Sequence, residues 1–212
     1  MKLLHRSFVM VLNQRLSTMI NCGGDSLVDY IRTYDDVVDA NFCDNAVELF
    51  ESDESVQEKI DREQRPTFTE VNISQQYLKK NTVWMETNVL VQQAYVQCVS
   101  EYLDEMDLGP DFPSKYAFEE FRLKRYVAGT DDEFKDHVDV QDYFSARRFL
   151  VCFLYLNDVK DGGNTEFPKL DHTIQPKRGR MLVFPSNWMY RHAGRPVIRG
   201  TKYILGTYLH YL

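Results

Sequence analysis

Residues 149–156 read Phe149-Leu150-Val151-Cys152-Phe153-Leu154-Tyr155-Leu156, without a charged or turn-forming residue. A half-buried strand alternates apolar and polar positions. This run is apolar on both faces, as expected of a central strand covered on one side by helices. Phe121–Val127, Met181–Phe184 and Tyr203–Tyr211 are further strand candidates, set apart by the turn signals Ala128-Gly129, Asp161-Gly162-Gly163, Arg178-Gly179 and Arg199-Gly200. Short strands joined by glycine turns favour a sandwich or barrel, and a jelly roll among these encloses a small site between two facing sheets.

Upstream of Pro113 the texture is helical. Ala46, Val47, Leu49 and Phe50, followed by Val56 and Ile60, fit one apolar stripe, with Asp44 placed to cap its start. A second helix is expected over Thr87–Met106, ended by Leu108-Gly109-Pro110 because proline cannot continue a helix. Pro66–Ile73 is rich in Thr, Val, Phe and Ile and reads as an extended segment. The two helices are the natural cover for residues 149–156. Neither a repeat nor a flexible linker divides the chain, so the expectation is one domain over 1–212. It is mainly β within the α+β class, with a helical support region at 1–115 and a β core at 116–212.

The chain has 212 residues and a net charge of -7. This acidic balance argues against nucleic acid as the main partner, since phosphate binding needs a basic surface. Acids crowd between Asp25 and Glu63, whereas Lys177–Lys202 holds seven Lys or Arg and no acid; a solvated face is the expectation for both. Cys22, Cys43, Cys98 and Cys152 are scattered without a Cys-x-x-Cys pair, which fits a reduced, cytoplasmic protein. No apolar run approaches the roughly 18 residues of a membrane-spanning helix, so no membrane role is expected. The first twenty residues carry Lys2, Arg6 and Arg15 without an acid. Asn13 and Gln14 interrupt their apolar run, so a short amphipathic segment docked on the domain is expected rather than a secretory signal.

The chemistry begins at His137-Val138-Asp139. In extended backbone, side chains alternate, so His137 and Asp139 project to one face and suit one metal ion. Alone, such a triplet is a weak signal. A third donor must come from elsewhere, and His192, in Tyr190-Arg191-His192-Ala193-Gly194 after an apolar strand, is better placed than His172, His5 or His210. Two histidines and a carboxylate occupy one face of an octahedron and leave the other positions open, the pattern of Fe(II) oxygenases, whereas structural zinc is closed by four protein ligands.

Several segments in a set order now carry a resemblance. They are Tyr126-x-x-Gly129, His137-x-Asp139, Tyr155-Leu156-Asn157-Asp158-Val159, Gly162-Gly163-Asn164-Thr165-Glu166-Phe167-Pro168, Pro176-Lys177-Arg178-Gly179-Arg180, His192-Ala193-Gly194-Arg195-Pro196-Val197 and Gly200-Thr201-Lys202-Tyr203. Together they resemble the prolyl 4-hydroxylase branch of the 2-oxoglutarate and Fe(II)-dependent dioxygenases over roughly Phe121–Leu212. The resemblance implies a double-stranded β-helix with His137, Asp139 and His192 on Fe(II). It also implies Lys202 on the distal carboxylate of 2-oxoglutarate, assisted by the hydroxyls of Tyr126 and Thr165, with O2 as the other co-substrate and ascorbate as reductant. A lysine in an apolar strand agrees with this, because burying it alone is costly and a dicarboxylate supplies the countercharge.

The implied activity is hydroxylation of prolyl residues in a peptide or protein, with release of succinate and CO2. Hydroxylation of a free amino acid or small molecule is the enzymatic alternative, and a sensor that kept the container but lost turnover is the non-enzymatic one. Two departures stand out: an acidic, slightly long spacer Thr130–Asp136 before His137, and Tyr208 where many relatives have tryptophan near the keto acid. Arg148 matches an arginine near the substrate mouth, although Arg147 lies beside it, and Trp188 is a candidate to flank the entrance, with buried packing the blander reading for it and for Tyr190. The acids Asp131, Asp132, Glu133, Asp136 and Asp142 are expected to form a mobile, solvated lid.

Overall fold

The run at 149–156 forms the centre of a large sheet in the computed structural model, which describes residues 26–62 and 66–212. The elements in chain order are β1 (Arg32–Tyr34), α1 (Ala40–Ser52), β2 (Glu58–Asp61), β3 (Thr67–Asn72), α2 (Ile73–Leu78), α3 (Thr82–Glu105), β4 (Tyr116–Phe118), β5 (Arg122–Val127), β6 (Phe134–His137), β7 (Arg148–Tyr155), β8 (Thr165–Phe167), β9 (His172–Ile174), β10 (Met181–Pro185), β11 (His192–Gly194) and β12 (Thr201–Tyr211). The N-terminal segment expected to dock, with His5 and Cys22, lies outside the described residues.

An eight-stranded sheet runs β1-β10-β7-β12-β5-β3-β2, with β4 paired to β12, and a four-stranded sheet runs β6-β11-β8-β9. Every named pairing is antiparallel. β7 is apolar on both faces because each face meets a different core. Leu150, Cys152 and Leu154 pack with Phe50 of α1 and Trp84 and Tyr95 of α3, whereas Val151, Phe153 and Tyr155 pack with Tyr126, Phe167 and Phe184 inside the container. Burying side chains of this size stabilises each face by about 1.5–3 kcal/mol per residue.

The N-terminal half does more than support. Its β1 extends one edge of the large sheet through β10, and β3 pairs with β5, so residues before 115 supply strands to the container. α1 is capped by Asp39, whose Oδ1 accepts from the Phe42 amide at 2.7 Å, while Asp44 lies inside the helix and pairs with Arg178 at 3.0 Å. Val56 and Ile60 are not on its stripe: the chain leaves the helix after Ser52, Val56 falls in a 3₁₀ turn and Ile60 in β2. The second helix begins at Thr82 rather than Thr87, because the Asn81 side chain accepts from the Val83 amide and starts it earlier.

The acids of the first segment are mostly exposed, as expected of a solvated face, and two of them, Asp35 and Asp44, pair across the surface with the basic segment. Asp35 takes Arg180 at 2.7 Å and Lys177 at 2.8 Å, and these hydrogen bonds hold its carboxyl down at about 2. Cys43, Cys98 and Cys152 are buried free thiols. Among the described residues no helix is long and apolar enough to cross a membrane.

Candidate metal and co-substrate site

β6 and β11 bring two histidines together by register. His192 is the ladder partner of His137, and Asp139 follows β6 closely enough to turn back onto both. The Asp139 carboxylate lies 3.5 Å from His137 Nε2 and 3.7 Å from His192 Nε2, and one donor atom from each of the three residues falls within 4.8 Å of the others. Each imidazole Nδ1 meets a backbone carbonyl, Lys135 O at 2.7 Å for His137 and Tyr190 O at 3.0 Å for His192. An Nδ1–H donated to those carbonyls leaves both Nε2 lone pairs turned inward.

His137 Nε2, His192 Nε2 and Asp139 Oδ2 are buried and have no hydrogen-bond partner. Buried polar atoms are rarely left unpaired, so three converging orphans of this donor set fit a divalent metal ion. Burial pushes His192 down to about 4, so it is a neutral ligand at physiological pH. Burial would raise the Asp139 pKa, but His192 and then His137 outweigh it and hold the carboxyl at about 2. Aromatic rings wall the site: Phe134 stacks on His137 at 3.6 Å between centroids, and Phe184 meets His192 edge-on at 4.8 Å.

Lys202, 1% exposed, stands on β12 opposite Tyr126 of β5. Its ammonium donates to Gly163 O at 2.8 Å and lies 4.6 Å from the centre of the Tyr126 ring, so the aromatic face of Tyr126 meets it. No carboxylate pairs with it among the described residues, and burial pushes it down to about 7. Gly163 is delivered by a turn that only glycine permits: a Cβ on Gly162, at φ 77°, would lie 2.5 Å from Pro196 O. The Thr165 hydroxyl is 2.6 Å from the Tyr155 hydroxyl, both buried. Sequence reasoning singled out Thr165 but passed over Tyr155, because it ends an apolar strand and reads as core.

Tyr208 donates its hydroxyl to Asp139 Oδ1 at 2.9 Å. The Arg148 guanidinium lies 4.1 Å over the Tyr208 ring, pairs with Glu119 at 2.8 Å and donates to the Asp139 carbonyl at 3.3 Å. Trp188 differs from the blander expectation: it is 71% exposed in a 3₁₀ turn and lines neither cavity described below, whereas Tyr190 is buried. Nor do the spacer acids form a uniformly solvated lid. Asp132 is buried, accepts from the Val127 amide at 3.0 Å and holds Lys59 at 2.5 Å, and Asp136 pairs with Arg195 at 2.9 Å. A carboxylate that closes its own turn in this way is structural.

Two cavities open beside these residues. One, about 620 Å³, includes His137 and Asp139 in its lining; the other, about 740 Å³, runs along the inner face of the large sheet past Lys124 and Phe153. Phe134, Arg148 and Tyr208 line both, so the two cavities adjoin.

Residues 121–210 match the family model described as the 2OG-Fe(II) oxygenase superfamily. The chain is 28% identical over 108 residues to prolyl 4-hydroxylase subunit alpha-1 of Gallus gallus, which covers 43% of this chain; it spans about a fifth (20%) of that relative's length. Among solved structures it is similar to a viral collagen prolyl hydroxylase from Paramecium Bursaria Chlorella virus-1, with a TM-score of 0.61, 20% identity and 91% and 99% of the two chains covered. It is also similar to a prolyl hydroxylase from Trichoplax adhaerens in complex with a hypoxia inducible factor peptide fragment, with a TM-score of 0.62, 15% identity and 96% and 92% covered. These likenesses show the double-stranded β-helix fold, and the family match implies Fe(II), 2-oxoglutarate and O2. The segment 121–210, which holds His137, Asp139, Thr165, His192 and Lys202, thus matches the 2OG-Fe(II) oxygenase superfamily model and is similar to prolyl hydroxylases.

Proposed function

We propose that the protein hydroxylates prolyl residues of a peptide or protein, with Fe(II) held by His137, Asp139 and His192 and 2-oxoglutarate anchored by Lys202. The observation that carries this is the pairing of two incomplete groups in one container: three orphaned metal donors and a buried ammonium without a protein countercharge. When bound, the metal and keto acid supply the oxidising chemistry, in which O2 and 2-oxoglutarate are consumed, a substrate C–H becomes C–OH, and succinate and CO2 are released.

The chain's own residues bind and orient. His137, Asp139 and His192 would hold the metal through two imidazole donors and one carboxylate, a set of three that would leave positions for the co-substrate. Lys202 neutralises the distal carboxylate, and the Thr165–Tyr155 hydroxyl pair offers a polar contact in the same recess. Phe134, Phe153, Phe167 and Phe184 around the histidines exclude water. Tyr208 fixes the rotamer of Asp139 through its hydroxyl. Replacing it by phenylalanine is therefore expected to weaken Mn(II) binding by roughly tenfold, as loss of such supporting bonds to a metal ligand typically does. Unchanged Mn(II) affinity in Tyr208→Phe would remove Tyr208 from the site.

Two adjoining cavities rather than one closed pocket favour a chain-like substrate, and the lining of the 740 Å³ cavity includes the exposed Arg62 and Arg147. Residues 1–212 act as one catalytic domain, a reading supported by the strands β1 and β3 that the first half gives to the large sheet. Ascorbate as reductant and a cytoplasmic setting accompany this proposal, the latter in keeping with buried free thiols. The test is an array of proline-containing peptides incubated with Fe(II), 2-oxoglutarate and O2, read by mass. One added oxygen on a prolyl residue, with succinate formed in step, is expected. Oxygen added only to free small molecules or to other residue types would overturn the prolyl assignment.

A further inference from the structure

Lys124 is a second buried lysine in the same container, and the oxygenase reading gives it no role. It lies on β5, where Arg122, Lys124 and Tyr126 share the inner face and Leu123 packs into the helix-side core. Only 9% exposed, it lines the 740 Å³ cavity beside the metal donors, with its ammonium 4.9 Å from the centre of the Phe68 ring and 5.9 Å from that of Phe134.

The acids that could neutralise Lys124 are engaged elsewhere. Glu70 is its ladder partner on β3, yet the Glu70 carboxylate is held by Arg122. Arg122 also holds Glu120, and Glu119 forms a two-point pair with Arg148. The cavity wall carries Arg62, Arg122, Lys124, Arg147 and Arg148 against Glu58, Glu70, Glu119 and Glu120, an excess of one positive charge, and Lys124, Arg62 and Arg147 form no ion pair among the described residues. The Glu70 and Asp139 charges act on Lys124 without contacting it, and a buried ammonium with no ion-pair contact stays costly unless a countercharge arrives. Burial lowers the Lys124 pKa, and an incoming anion would offset that penalty. Lys202 is not among the residues lining either cavity, whereas Lys124 lines the 740 Å³ one.

We propose that Lys124 receives a carboxylate carried by the substrate, so that the protein selects substrates with a negative charge close to the carbon that is hydroxylated. The carboxylate is supplied by an acidic side chain next to the target proline, by a C-terminal prolyl carboxylate, or by a free imino acid. This inference rests on the oxygenase reading of the site.

The experiment uses the full chain with Mn(II) and 2-oxoglutarate under anaerobic conditions and compares matched probes. These are proline peptides with Glu or Gln beside the proline, peptides ending in prolyl carboxylate or prolyl amide, and L-proline or its amide. At least one acid is expected to bind roughly tenfold more tightly than its amide, the order expected of one charge-assisted hydrogen bond. Which pair shows the preference identifies the source of the carboxylate. That preference is expected to vanish in Lys124→Met and to return in Lys124→Arg. Because the acid-to-amide comparison is made on the native chain, it does not depend on any variant folding. Equal binding of acid and amide in all three pairs overturns the inference, as does a preference that Lys124→Met leaves intact. A fall in 2-oxoglutarate affinity in Lys124→Met like that in Lys202→Ala also overturns it, by placing the co-substrate on Lys124. Iron-dependent succinate formation by the native chain is measured alongside; its absence overturns the oxygenase reading itself, and its presence with no acid preference overturns only the role of Lys124.

Discussion

Replacing Lys202 with alanine is expected to weaken 2-oxoglutarate binding by roughly 10²- to several 10³-fold, since removing one partner of a buried ion pair costs about 3–5 kcal/mol and each 1.4 kcal/mol is tenfold. The ammonium is buried, its one hydrogen bond goes to Gly163 O, and no acid of the described chain reaches it. It is therefore poised for a ligand charge and destabilising without one. Lys202→Met, which keeps the stem but removes the charge, is expected to raise the unfolding temperature of the metal-free protein while abolishing co-substrate binding, the usual trade between stability and a functional buried charge.

The same burial sets a pH dependence. In the ligand-free protein the Lys202 ammonium is pushed down to about 7, and an arriving carboxylate raises it again. Binding above that pKa takes up a proton, so affinity is highest below pH 7 and falls as pH rises through it, by at most about tenfold per unit. His192, near 4, stays neutral across this window and adds nothing to the slope. Calorimetry of 2-oxoglutarate with Mn(II) in buffers of different ionisation enthalpy measures the proton uptake. A flat profile, or a Lys202→Ala affinity within a few-fold of the native value, would take Lys202 out of the co-substrate site.

Asp139→Ala is expected to weaken Mn(II) binding by more than about 100-fold, because losing a group that merely supports a ligand already costs 10–100-fold. Its carboxylate faces both imidazoles at 3.5 and 3.7 Å, and no other acid joins that donor cluster among the described residues. The substitution also strips Tyr208 of its acceptor. Combining Asp139→Ala with Tyr208→Phe should therefore cost little beyond the single change, since the two groups act as a unit. Additive losses would mean that Tyr208 acts on the metal by another route.

The long strands and the chemistry were legible where side-chain periodicity is long or residue types are rare. β7 declares itself through an eight-residue apolar run and β12 through its apolar and aromatic residues from Tyr203 to Tyr211, and His137, Asp139, His192 and Lys202 through their types and order. The four-stranded sheet was not legible, because β6, β8, β9 and β11 have only three or four residues each and owe their pairing to the facing sheet. β1 carries no strand signal and β2 reads as the tail of a helical stripe through Ile60, since Arg32-Thr33-Tyr34 and Glu58-Lys59-Ile60-Asp61 are outer strands with little to bury. Lys124 was hidden for the opposite reason. Within Arg122-Leu123-Lys124-Arg125 it looks like one more solvated charge, and only the covering of its face of β5 by Phe68 and Phe134 buries it.

Anaerobic addition of Fe(II) and 2-oxoglutarate, followed by visible absorption, reports the metal and the keto acid in a single complex through its charge-transfer band. The native protein is expected to develop that band and to saturate at one Fe(II) per chain. Asp139→Ala should fail to develop it, and Lys202→Ala should do so only at far higher 2-oxoglutarate. A native protein that shows no band, or variants that match the native titration, would contradict the assignment of His137, Asp139, His192 and Lys202 to one metal and co-substrate site.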